Sequence, residues 1–126
     1  TLVKDYAAMP IELYCNAHKI QQALMSLLMN SIEAMPRGGK IILNVMLENS
    51  IVKLRIIDEG IGISDKDLPH IFEPFYSTKE ASNGTGLGLA VAYGIIANHK
   101  GKIEVEKTSN QGTTFRVVLP QNEQLV

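Results

Sequence analysis

Two apolar-rich stretches, Lys40–Glu48 and Ile51–Asp58, are separated only by Asn49-Ser50. A connection that short joins antiparallel partners, because parallel strands need a crossover of about a dozen residues. A second pair, Lys102–Lys107 and Thr113–Leu119, is joined by the turn Ser109-Asn110-Gln111-Gly112. Strands therefore arrive as hairpins rather than as strand–helix–strand units. The alternation agrees: Val52, Leu54 and Ile56 share one face and Lys53 and Arg55 the other. Likewise Phe115, Val117 and Leu119 oppose Arg116. A sheet with one apolar face needs a covering layer.

Two helices can supply it. Asn16 is a plausible N-cap for apolar residues at helical spacing, Ile20, Ala23, Leu24, Leu27, Leu28 and Met35, closed by Pro36-Arg37-Gly38-Gly39. A second helix runs from about Leu87 to His99 and stops at Gly101. Ser64 can cap a short helix, with Asp67 at the capping-box position, and Ile11–Cys15 reads as a short strand. The expected fold is an α/β (α+β) two-layer sandwich. Its sheet is mixed and largely antiparallel, with the helices packed on one face. The 126 residues suit one domain, with a core from about 11 to 120. From Phe72 to Gly86 there is no periodicity, and a loop that long inside a small domain is functional or disordered.

Charge narrows the partners. Twelve Lys and Arg against thirteen Asp and Glu give a net charge of -1, so no global field recruits nucleic acid or an anionic membrane. Any bound anion must be held by local geometry. The single Cys15 excludes an internal disulfide, no cysteine–histidine cluster offers zinc, and a reducing cytoplasmic setting is expected. No apolar run approaches the roughly 20 residues of a membrane span, and there is no signal-peptide pattern. Thr1–Ala8 reads as mid-sequence, so the expectation is a piece of a longer protein whose membrane anchor, if any, lies upstream.

Three features carry chemistry. Asp58 is in phase with the apolar residues of its strand, which aims a carboxylate toward the helices, and Gly60 and Gly62 follow at once in DEGIG. Either Asp58 caps a turn, or it forms the floor of a glycine-walled slot that suits an exocyclic amine such as that of adenine. GTGLGLA, with Gly84, Gly86 and Gly88, opens a helix and can aim backbone N–H groups at phosphate, or it is simply a turn. It is not a Walker loop, because no Gly-Lys-Ser/Thr follows, and no strand precedes it as in a dinucleotide fingerprint. Asn30 interrupts an otherwise apolar helix, LMSLLMNSIEAM, with Ser26 one turn before it and Glu33 nearly one turn after. An amide oxygen there either bonds backbone and water or coordinates a hard cation such as Mg²⁺.

Together these segments resemble the ATP-binding catalytic domain of two-component sensor histidine kinases, within the superfamily that includes gyrase, the Hsp90 chaperones and MutL. NAHKIQQALMSLLMNSIEAM is similar to that family's N box and DEGIGI to its G1 box. IFEPFYSTK is similar to the F box and GTGLGLAVAYGII to the G2 box. The four come in the family's order, from about Ile11 to Pro120, and the F-box wording looks most like the nitrogen-regulation branch.

The resemblance implies roles. Asn30 would bind Mg²⁺, Asp58 would accept from the adenine amine, and Gly60 and Gly62 would shape the base pocket. Thr113 would join Asp58 through water near the base. Phe72 and Phe75 would anchor a lid whose Lys79 approaches the phosphates. Gly84, Thr85, Gly86, Leu87 and Gly88 would form the mobile phosphate end. Two positions depart from the pattern: Ser26 stands where an Asn is frequent, and Asn16 where the box opens with Asp. ATP-hydrolysing relatives tend to hold a glutamate at the Ser26 position, and serine cannot serve as that base near neutral pH. Glu33 is then either a substitute base or a residue in contact with solvent or with metal-bound water.

None of His18, His70 and His99 lies in a motif like that of the phosphorylated hairpin, so each reads as a surface or capping residue. The resemblance places the acceptor histidine upstream, on a helical-hairpin dimerisation domain, with relay to a response-regulator receiver aspartate. It leaves the isolated domain a monomer. The alternatives are an anti-sigma-type serine kinase, a non-catalytic nucleotide-binding regulatory module, and an ATPase of the gyrase–chaperone kind.

Overall fold

In the computed structural model, residues 2–5, 15–76 and 88–121 are described. The elements in chain order are β1 (Leu2–Asp5), α1 (Ala17–Glu33), β2 (Ile41–Glu48), β3 (Ile51–Asp58), a 3₁₀ turn (Leu68–His70), α2 (Gly88–Asn98), β4 (Lys102–Ser109) and β5 (Gly112–Pro120). The sheet order is β1-β2-β3-β5-β4. β1 runs parallel to β2 and every other pair is antiparallel, which makes the sheet mixed and largely antiparallel as the hairpins require. β1 was not anticipated, because LVKD shows no alternation to reveal it. The expected strand at Ile11–Cys15 falls on residues 11–14, outside the described residues, and Cys15 itself lies in a bend.

Local chemistry explains the elements. Asn16 caps α1, its side chain accepting from the Lys19 N–H at 3.1 Å. The Asn16 N–H in turn donates to Nε2 of His99, while Nδ1 of His99 donates to the Ile95 carbonyl. One imidazole thus ties the end of α2 to the start of α1. α1 stops at Glu33 rather than Met35, since Pro36 disfavours a helical conformation in the residue before it. Asn49 and Ser50 both have positive φ (52° and 63°), the two-residue turn that matches strand twist.

At the end of α2 the left-handed residue is Lys100 (φ 63°), not Gly101. The Gly101 N–H reaches Ile96 O and the Lys100 N–H reaches Ala97 O, a Schellman closure. β4 extends to Ser109 because a bulge between Val105 and Lys107 absorbs Glu106.

The core lies between the sheet and the two helices, which pack against each other. α1 contributes Ala23 and Leu27, and α2 contributes Ala92, Ile95 and Ile96. Opposite them, the registers Val52↔Leu119, Leu54↔Val117 and Ile56↔Phe115 stack apolar pairs on the covered face. Burial of each large side chain contributes roughly 1.5–3 kcal/mol, and Phe115, Leu27, Ile56 and Ile96 are fully buried. The sandwich leaves one end, where β3 finishes and α1 finishes, for chemistry.

Candidate functional site

Among the described residues only three polar side chains are buried: Ser31, Asp58 and Thr113. Asp58 closes β3 in the same phase as Val52 and Ile56, so the strand's parity delivers its carboxylate to the covered face. Burying a carboxylate is costly unless hydrogen bonds compensate. One oxygen has them: Oδ1 accepts from the Gly60 N–H at 2.9 Å and the Thr113 N–H at 3.1 Å. Oδ2 has no partner among the described residues. Asp58 therefore ties the turn with one oxygen, while the other has no partner among the described residues.

The glycines shape the space around it. A Cβ on Gly60 would lie 2.7 Å from Ala34 Cβ and 3.0 Å from Asp58 Oδ1, so the end of α1 and the carboxylate face each other across a missing side chain. Gly62 has φ +83°, and a Cβ there would overlap the Ser109 carbonyl at 2.0 Å. The loop is pinned on both sides: the Ile61 N–H donates to Ala34 O at 3.1 Å, and the Ile63 N–H to Thr108 Oγ1 at 2.9 Å. Thr108 Oγ1 lies 2.8 Å from Thr113 Oγ1, which links the two hydroxyls beside the loop. Lys40 N–H donates to Glu59 Oε1 at 2.8 Å and fastens the loop to the approach of β2.

A second group lies along α1. Ser26 and Asn30 are one turn apart, and a Cβ on Gly88 would come 3.9 Å from Ser26 Cβ. The first turn of α2, with its outward N–H groups and positive dipole end, thus starts beside the polar face of α1. Glu33 is exposed on the following turn. No cluster of three or more His, Cys, Asp or Glu that could hold a metal occurs among the described residues. The amide of Asn30 fits a cation that takes most of its ligands from phosphate and water, as Mg²⁺ does.

Phe72 is half-buried between Tyr93 of α2 (centroids 5.2 Å) and Phe115 of β5 (6.4 Å). Phe75, by contrast, is 76% exposed with φ 67°, an uncommon conformation for an aromatic residue. Tyr76 donates to Asp67 Oδ1, and Ser64 Oγ donates to Asp67 Oδ2 at 2.9 Å. The Asp67 N–H reaches Ser64 Oγ at 3.2 Å across the turn before the 3₁₀ segment, so Ser64 ties that turn rather than capping the helix, whose N-cap is Asp67. The Tyr76 hydroxyl, and then Ser64, holds the Asp67 carboxyl below the usual aspartate range, while the same bond raises Tyr76. His70 pairs with Glu73 at 2.8 Å and stacks against Tyr76.

The expected site residues thus form two groups: Asp58, Gly60, Gly62 and Thr113 at the strand ends, and Asn30 with Ser26 beside Gly88. Lys79, Gly84, Thr85, Gly86 and Leu87 lie outside the described residues. Sequence reasoning missed Ser31 and Thr108. The signal for Ser31 was a hydroxyl in phase with Ala23 and Leu27 on the apolar stripe of α1.

Comparison with known proteins supplies the family and supports the fold. Residues 15–123 match the family described as histidine kinase-, DNA gyrase B- and HSP90-like ATPase. Sporulation kinase E of Bacillus subtilis is 43% identical over 86% of the chain, and the sensor histidine kinase ZraS of Escherichia coli is 36% identical over 88%. These matches cover 14% and 23% of the two relatives, so the chain spans less than a quarter of either. Among solved structures, the nucleotide-free catalytic domain of the histidine kinase ThkA superposes with a TM-score of 0.84 at 30% identity, covering 95% of this chain and 78% of that one. The chain belongs to the histidine kinase-, gyrase B- and HSP90-like ATPase family, as an ATP-binding catalytic domain of the histidine kinase kind.

Proposed function

We propose that this chain, as a single domain, binds Mg·ATP and donates the γ-phosphoryl group to a histidine on a helical hairpin upstream in the same protein. From there the phosphoryl group passes to an aspartate of a response-regulator receiver domain. The observation that carries the reading is the divided carboxylate of Asp58. With Oδ1 saturated by two backbone N–H groups, Oδ2 is a buried acceptor that fits the 6-amino group of adenine and repels the 6-oxo group of guanine.

In this reading Gly60 and Gly62 keep the slot open for the flat base, and Thr113 stands beside it. Asn30 holds Mg²⁺, which when bound neutralises charge on the phosphates. Gly88 lends the start of α2 to the phosphate end, together with Gly84, Thr85, Gly86 and Leu87. Lys79 adds a cation, and Phe72 and Phe75 set the base of the segment that carries it. The domain positions and screens charge, as phosphoryl transfer requires, and Ser26 cannot serve as the base that would divert the phosphoryl group to water. ATP as substrate places the domain on the cytoplasmic side, whether or not the full-length protein is anchored. Among the described residues no helix is long and apolar enough to cross a membrane.

The test is to incubate the full-length protein with γ-labelled Mg·ATP and follow label on the protein. Acid-labile, alkali-stable label is expected. Acid-stable label would indicate a serine kinase, and binding without label a regulatory module. Asp58→Asn should weaken ATP binding at least roughly 100-fold, because an amide N–H₂ would then face the base amine. Unchanged affinity in calorimetry would remove adenine from the pocket.

A further inference from the structure

His99 follows the last residue of α2, and its half-buried imidazole holds two backbone groups at once. Nδ1 donates to the Ile95 carbonyl at 2.9 Å, and Nε2 accepts from the Asn16 N–H at 3.1 Å. A backbone N–H can only donate, so the second contact requires a neutral ring with its hydrogen on Nδ1. A proton on Nε2 would set donor against donor and break that bond, while the Ile95 contact survives in either state. Histidine is the side chain that ordinarily changes charge between about pH 5 and 8.

The bond sits at one end of a helix pair whose other end holds polar groups of the site. From Asn16 to Ser26 α1 climbs about 15 Å, and from Gly88 to His99 α2 climbs about 16 Å, at 1.5 Å per residue. Asn16 meets His99 at one end, and a Cβ on Gly88 would stand 3.9 Å from Ser26 Cβ at the other. The two helices are therefore antiparallel and matched in length between these contacts. Between them they pack through the apolar core that holds Ala23, Leu27, Ala92 and Ile95. Apolar burial is non-directional, whereas a hydrogen bond has a preferred length and angle. His99 thus pins the register of α2 against α1.

We propose that His99 is a proton-sensitive positioning residue for the site at the far end of the pair. Neutral, it keeps the first turn of α2 beside Ser26 and Asn30. Protonated, it releases Asn16, frees the first turn of α1 and lets that alignment drift. The titratable and charged groups on the segments that meet at His99 are Cys15, His18 and Lys19 at the start of α1, and Lys100 and Lys102 at the passage into β4. The adjoining end of β5, from Val118 to Gln121, carries none. No carboxylate is among them, so protonated His99 gains no ion pair from these segments in exchange for the lost bond. Nucleotide affinity then falls as pH drops, since proton and ligand favour different states of the pair. The nucleotide part of this inference rests on the ATP reading above; the joint itself does not.

Hydrogen exchange on the nucleotide-free full-length protein reads the joint, and ATP titration reads the site. Between about pH 7.5 and about pH 5.5, protection of the Lys19 and Ile20 amides, corrected for intrinsic rate, should fall roughly fivefold, the worth of one hydrogen bond. His99→Gln, whose side-chain oxygen accepts at a similar reach and carries no charge, should keep that protection at both pH values. His99→Ala should show the low level at both. ATP should bind wild type and His99→Gln alike at the higher pH, and wild type roughly threefold more weakly at the lower. Comparison with the glutamine variant cancels protonation of the nucleotide itself. Wild-type protection that does not change with pH, or a His99→Gln that follows wild type downward, would overturn the proposal, as would opening of the joint without loss of affinity. If His99→Gln does not fold, the contrast between wild type and His99→Ala decides in the same way. Failure to bind ATP at either pH would remove the ATP reading, and hydrogen exchange would still decide the joint.

Discussion

Arg55 and Arg116 stand directly opposite each other where β3 pairs with β5, on the face of the sheet away from the helices. Like charges at such a pair are destabilising. The bulge in β4 supplies the remedy: Glu106, the extra residue, accepts from Arg55 Nε at 2.9 Å and from Arg116 Nη1 at 3.4 Å, and Glu104 takes the rest of Arg116. Glu106→Gln should therefore lower stability at neutral pH by about 1 kcal/mol, read from denaturant midpoints.

The same pair sets a pH dependence. The hydrogen bond from Arg55 holds Glu106 below the ordinary glutamate value of 4.5, and Glu106 raises Arg55 in return. A carboxylate whose folded value is depressed stabilises fully above its unfolded value and loses that contribution as pH falls through the folded one. The gap between wild type and Glu106→Gln should hold steady above about pH 5 and close on further acidification. A gap that widens in acid would refute the assignment.

Tyr76→Phe removes the main cause of the low Asp67 value. In the variant the Asp67 carboxyl should titrate at higher pH, while Ser64 continues to donate to it. Carboxyl chemical shifts followed against pH measure this directly. An unmoved titration would mean that the tyrosine hydroxyl does not reach Asp67 in solution.

Gly62→Ala combines a positive φ with a clash against the Ser109 carbonyl. A loss of roughly 2–4 kcal/mol is expected, together with weaker nucleotide binding, since the loop holding Asp58 must shift. Thermal melts and ATP titration on one preparation would show both.

His99→Ala should free the Asn16 N–H and loosen the first turn of α1 by about 1 kcal/mol. Hydrogen exchange gives the resolution needed: the Lys19 and Ile20 amides should exchange faster, while those in the middle of β5 should not.

Much of this was legible in the chain. Hairpins announced themselves through alternation and a two-residue turn, and α1 through its spacing and its cap. What stayed hidden depends on partners distant in sequence. LVKD pairs with β2 across nearly forty residues and has no pattern of its own. The bulge at Glu106 exists because β5 demands a register, and nothing in IEVEKTS marks it. Gly101 looked like the left-handed residue, yet Lys100 takes that conformation. At the site, Asp58 was readable because strand parity made a charge conspicuous, whereas Ser31 was not, because a small residue on an apolar stripe looks like packing. Phe75 shared its motif with Phe72, but among the described residues only the latter has ring partners, Tyr93 and the core Phe115.

In the proposed reading, Asp58 gives one oxygen to the scaffold and keeps the other for the base. An asparagine there could preserve every scaffold contact and still present the wrong group to adenine. Aspartate and asparagine codons differ by a single base. A lineage of this domain can therefore lose its nucleotide in one mutational step without passing through an unfolded ancestor, and descendants kept for docking alone should be recognisable by asparagine at that one strand end.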